Sequence, residues 1–143
     1  MAARSFISLG LFLAVIGGCT GSGVGRIDYL TAGGLSGTGD NTALHVEPSG
    51  AATRTQPDGS METAMLDLAT LNDLHQKIED AQFATLAPEY VCSCPDEFVN
   101  VVSAQIDGNV YRVAAGDETP YPEPLRIVIT TLKGIQRSAL GWH

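Results

Sequence analysis

Positive charge is scarce in this sequence. Eight lysines and arginines stand against sixteen aspartates and glutamates, a formal net charge of −8. A surface of that sign repels nucleic acid and anionic headgroups, which are bound through Lys and Arg. Long apolar runs are missing too: the longest, residues 6–16, falls short of the roughly 20 residues a helix needs to cross a hydrocarbon core. Catalytic patterns are absent. There is no HExxH helix, no Ser-His-Asp order with a nucleophile elbow, no metal-ligand cluster and no spaced acid pair in a recognisable context. The reading is therefore not an enzyme, with no catalytic residue, no resident metal and no cofactor.

What is present begins with an amino terminus built for export. Arg4 supplies a charged start, residues 6–16 an apolar stretch, and Gly17 and Gly18 a small-residue exit. Ile16, Gly17, Gly18 and Cys19 together resemble the bacterial lipobox, in which an aliphatic residue and two small ones precede a cysteine that receives diacylglycerol before cleavage. The resemblance implies that residues 1–18 are a lipoprotein signal peptide and that Cys19 is the lipidation site. The protein would then face the periplasm or cell exterior from a membrane anchor in the cell envelope. Buried methylenes contribute about 0.8 kcal/mol each, so two or three long chains hold a protein essentially permanently. All sixteen acidic residues lie after Cys19, whereas Arg4 leaves with the signal, so processing makes the chain more acidic. Residues 19–25, rich in Gly and Ser, read as a tether. One domain is expected over residues 26–137, with residues 138–143 as a tail, because the remaining length suits one domain and average apolar content suits one core.

Within that domain, residues 26–31 mix apolar and polar side chains at strand spacing and stop at Gly33 and Gly34. Leu44 and Val46 alternate with His45, and Pro48, Ser49 and Gly50 turn the chain into residues 51–55, which predicts a hairpin with His45 toward solvent. Leu68, Leu71, Leu74, Ile78 and Ala81 recur every three or four residues, the stripe of an amphipathic helix ending near Gln82. Thr70 and Asp73 are read at its start, and His75 with Glu79 on its solvent edge. Asp107, Gly108 and Asn109 separate two apolar runs, residues 98–106 and 110–114, as in a tight hairpin. Pro120, Pro122 and Pro124 lead into Leu125, Val128, Ile129, Leu132 and Ile135, a second helix whose first turn tolerates proline. The fold class is α+β: an antiparallel sheet of four to five strands covered by two amphipathic helices, in the order β-β-β-α-β-β-α.

Two features stand apart from this pattern. The glycine-rich loop with Gly33, Gly34, Gly37 and Gly39 lacks the Lys-Ser/Thr ending of a phosphate cradle and reads as a turn. Cys92 and Cys94, one residue apart, are the thiols left once Cys19 is lipidated. An oxidising compartment favours a disulfide between them, closing a very small ring. Three roles remain open for the pair: a structural bridge or inert pair, a holder of a soft metal such as Cu(I), or a redox site.

The order of these pieces resembles the emfourin family, small bacterial proteins that inhibit thermolysin-like metallopeptidases such as protealysin. The likeness runs from about Arg26 to Ile135. It rests on a first strand closing on Gly33 and Gly34 with Gly37 soon after, a helix leading into Phe83 and Leu86, Asp96 and Phe98 before the hairpin, and Pro122, Glu123, Pro124 and Leu125 opening the last helix. The resemblance implies a binding module whose partner is an extracytoplasmic metallopeptidase. Its contacts would come from exposed loops, with Gly33, Gly34, Gly37, Pro95 and Asp96 as the partner-binding residues. The double cysteine and the lipid anchor depart from the simplest members. The alternatives are a Cys92/Cys94-centred metal or redox lipoprotein and a structural envelope lipoprotein without a ligand.

Overall fold

The computed structural model describes residues 23–33 and 42–138. Cys19, Gly34, Gly37, the signal and the carboxyl-terminal tail beyond Ser138 lie outside these residues. Seven strands form one sheet: β1 (Val24–Gly33), β2 (Ala43–Val46), β3 (Ala51–Thr55), β4 (Met61–Met65), β5 (Glu89–Tyr90), β6 (Phe98–Ile106) and β7 (Asn109–Gly116). Their order across the sheet is β4-β3-β2-β1-β6-β7-β5. Two helices, α1 (Leu68–Asp80) and α2 (Glu123–Ser138), complete the α+β fold.

The sheet has more strands than the sequence pattern predicts, and it is mixed. β4 follows the turn at Pro57, Asp58 and Gly59 and pairs antiparallel with β3, from Ala51 opposite Met65 to Thr55 opposite Met61. Its Met-Glu-Thr-Ala-Met sequence alternates only weakly in polarity, which hides it from a periodicity argument. β5 is two residues long and runs parallel to β7, Glu89 beside Ala114 and Tyr90 beside Ala115. A strand so short carries no period.

Register explains which side chains form the core. Ile27 and Tyr29 of β1 lie opposite Val46 and Leu44 of β2 on one side and Ala104 and Val102 of β6 on the other. Successive side chains on a strand point to opposite faces, so these residues, with Ala52, Val113 and Ala115, share one face and are buried. Leu71, Leu74 and Ile78 of α1 and Leu125, Val128, Ile129, Leu132 and Ile135 of α2 join the same cluster. Both helices thus cover one face and leave the other open. At the hairpin tip, Asp107 (φ 50°) and Gly108 (φ 83°) both adopt left-handed conformations, as a two-residue turn matched to strand twist requires.

The start of α1 differs from expectation by one turn's chemistry. Asp67 is the N-cap, its carboxylate accepting the Thr70 amide at 2.7 Å. Asp73 instead pairs with Lys77 at 2.7 Å. At the other end of the core, Arg54 shares the helix-covered face with Ala52. It pairs with Glu62 and donates to the Gln136 carbonyl of α2 at 2.7 Å. Gln136 in turn donates to the Thr42 carbonyl at 3.0 Å. The last turn of α2, whose carbonyls have no partner within the helix, is thereby fastened to β3 and to the start of β2.

Candidate functional site

Residues 91–97 connect β5 to β6, and the Sγ atoms of Cys92 and Cys94 are joined there as a disulfide. Behind the bridge lies Glu97, which is 6% exposed. Its Oε2 accepts the Cys92 amide at 2.9 Å and sits 3.2 Å from Cys92 Sγ. Its Oε1 accepts the Thr119 hydroxyl at 2.9 Å. Taking a carboxylate out of water is costly unless donors replace the water, and these two donors do so. No ion pair to Glu97 is formed among the described residues. Gly116 makes the arrangement sterically feasible, since a Cβ there would overlap the Glu97 carboxylate. Glu118 approaches from the connection between β7 and α2. Its carboxylate and the two sulfurs lie within 4.8 Å of one another.

This loop adjoins the end of β1. Gly33 is in register with Phe98, and at φ 120° it passes so close to the Glu97 carbonyl that a Cβ would stand 2.5 Å from it. Pro95 and Asp96 are exposed beside it. Two stretches far apart in sequence, each implied by the emfourin resemblance to be partner-binding, therefore meet at one end of the sheet.

A cleft of about 490 Å³ opens near that end between the sheet and α2, lined by Thr31, Asn100, Phe98, Asp117, Lys133 and Arg137 among others. Its polar floor is a chain of hydrogen bonds. The Thr31 hydroxyl donates to Tyr29 Oη at 2.9 Å, and Tyr29 donates to Asn100 Oδ1 at 2.8 Å. Burial raises the Tyr29 pKa above the usual phenol value, against the opposing pull of the Thr31 hydrogen bond and Arg137. The phenol therefore stays a neutral donor at physiological pH.

The two histidines within the described residues depart from the reading in different ways. His45 lies on the open face, as the alternation predicts, but it is half-buried and clasped by two carboxylates. Nδ1 is 2.6 Å from Asp28 and Nε2 2.5 Å from Glu47. Burial pulls its pKa down, and the hydrogen bonds from Glu47 and Asp28 outweigh that and raise it above the ordinary histidine value. His75, expected on the solvent edge of α1 beside Glu79, is instead 8% exposed and turned toward the core with Leu71 and Ile78. Burial lowers its pKa below the ordinary value, more than the Glu79 charge raises it. The helical stripe is wide enough to include position 75 between Leu71 and Ile78, a placement that the polarity of histidine disguises.

The cysteine pair was visible in the sequence; its surroundings were not. Glu97, Thr119, Gly116 and Glu118 come together only because β6 and β7 pair, and no spacing rule connects residue 97 with residue 119. Compared with known proteins, the chain matches no family model and resembles no curated protein closely enough to carry an argument.

Proposed function

We propose that this chain is a lipid-anchored extracytoplasmic binding module that docks through the end of the sheet where Gly33, Pro95 and Asp96 converge. The observation that carries the reading is that convergence: the β1 terminus and the 92–96 loop, far apart in sequence, form one exposed edge held by backbone pairing between Gly33 and Phe98. Loops positioned by a rigid sheet are where binding residues concentrate. The joined cysteines support export, since disulfides persist outside the reducing cytoplasm. The lipobox-like Ile16, Gly17, Gly18 and Cys19 supply the anchor. The partner implied by the emfourin resemblance is a thermolysin-like metallopeptidase, inhibited by occupation of its cleft.

Two experiments test the parts separately. Labelling with palmitate and treatment with globomycin should reveal a lipidated product whose processing stalls; an unlabelled, unprocessed chain removes the anchor. Titrating a thermolysin-like peptidase with the protein should reduce activity at stoichiometric ratios, and a Pro95→Ala/Asp96→Arg variant, changed only at exposed positions, should lose that effect. Full peptidase activity in excess protein removes the inhibitory role.

A further inference from the structure

We infer that the loop holding Cys92 and Cys94 is a reduction-gated site for a zinc-class divalent cation. Both thiolates and the Glu118 carboxylate are its ligands, and Glu97 positions Cys92. This goes beyond the docking role and does not depend on any peptidase partner.

The geometry comes first. The ligand atoms of Cys92, Cys94 and Glu118 lie within 4.8 Å of one another. Zinc binds sulfur at about 2.3 Å and carboxylate oxygen at about 2.0–2.2 Å, which puts neighbouring ligand atoms of a tetrahedral site roughly 3.3–3.8 Å apart. Opening the disulfide lets the sulfurs separate to that spacing while the chain keeps its place. The single residue between the cysteines is fewer than the two to four of common zinc loops. The third ligand accordingly comes from another segment, after β7.

Charge then separates metal binding from thiol exchange. Reactive thiolates form beside cations or at helix amino termini, and this loop offers neither. It places two carboxylates, Glu97 and Glu118, beside the sulfurs, and no described ion pair neutralises either one. Two thiolates there would face two carboxylates, an arrangement a divalent cation resolves. The oxygen ligand also favours zinc over Cu(I), which prefers an all-sulfur set.

Gating follows from the disulfide. A dithiol reductant gives two electrons and two protons to the Cys92–Cys94 bond, and becomes a disulfide itself. The S–S bond breaks and two thiols form. Cation binding then displaces both thiol protons to solvent. In the reduced state Cys92 Sγ–H can donate to Glu97 Oε2, the contact that the bonded sulfur makes at 3.2 Å without a hydrogen. Once the cation has displaced that proton, Glu97, fixed by Thr119, still holds Cys92 through its backbone amide and so keeps the first ligand in place.

The test uses the full chain in detergent with Cys19→Ser, so that the remaining thiols are Cys92 and Cys94. The protein is reduced with a phosphine, freed of excess reductant and titrated with Co²⁺. One equivalent should produce a thiolate-to-cobalt charge-transfer band that Zn²⁺ abolishes by displacement, and the oxidised protein should give none. Glu118→Gln, at an exposed position where folding is retained, should weaken binding at least about tenfold. Glu97→Gln should weaken it by about tenfold with the band kept. A reduced protein without the band, an unchanged affinity in Glu118→Gln, or equal binding by the oxidised protein overturns the assignment.

Discussion

The two faces of the sheet are made from the same strands and follow different rules. Beneath the helices, β1, β2, β6 and β7 present Ile27, Tyr29, Leu44, Val46, Val102 and Val113, all nearly inaccessible to water. On the open side, the same strands present Asp28, His45, Val101, Ser103 and Arg112 around a shallow cleft. One face is selected for volume and the other for charge and reach. Each histidine reports on its side: burial lowers the pKa of His75, whereas hydrogen bonds to the Glu47 and Asp28 carboxylates outweigh burial and raise that of His45.

The comparison is tested most severely by removing volume. Leu74→Ala should cost ~2–5 kcal/mol, read as a lower urea midpoint, because Leu74 is fully buried between α1 and the sheet and the cavity cannot collapse completely. Thr53→Ala on the open face should change stability by no more than about 0.5 kcal/mol. Equal effects at the two positions would mean that the helices do not cover the face assigned to them.

A smaller loss is expected where the covered face meets the end of α2. Arg54→Ala should cost about 2 kcal/mol, since it releases the Gln136 carbonyl and leaves Glu62 without its cation. Hydrogen exchange should quicken in the last turn of α2 and in β3, with little change at the β6–β7 tip. Unchanged protection in that turn would show that the guanidinium does not fasten it.

The histidines sharpen the contrast further, through pH. His75 titrates below its unfolded value near 6.5, so its contribution to stability is complete above about pH 6.5 and is lost as pH falls from there toward the depressed folded value. His45 titrates above its unfolded value. Its contribution is complete below about pH 6.5 and disappears as pH rises through the folded value. Ring-nitrogen NMR titration should give the two residues midpoints on opposite sides of 6.5. Urea midpoints of His75→Gln and His45→Gln should lose opposite slopes, the His45 effect being the smaller because solvent screens its ion pairs.

Much of this architecture can be read from residue order where a period or a turn carries the signal. Leu44 and Val46 alternate, Leu71, Leu74 and Ile78 stripe a helix, and Asp107 with Gly108 forces a tight turn, so those elements stand where expected. β4 and β5 escape because Met61, Thr63 and Met65 lie exposed on an edge and Glu89–Tyr90 is held by its neighbour β7 rather than by any pattern of its own. Of the candidate site, the cysteines and the turn residues Gly33, Pro95 and Asp96 are local features and legible. Glu97 is not. Beside Asp96 it looks like one more surface acid, and only the pairing of β6 with β7 brings Gly116 and Thr119 around it. Gly116→Ala tests that packing directly: it should push the carboxylate out and destabilise the fold by ~1–3 kcal/mol.

The brevity of β5 has a consequence for how copies of this molecule can associate. Two residues lie along the outer side of β7, opposite Ala114 and Ala115, and β4 at the opposite border has no strand beyond it among the described residues. Because β5 covers only Ala114 and Ala115, the stretch of β7 from Asn109 to Arg112 also runs without an outer neighbour among the described residues, so both borders keep backbone groups that another strand can pair.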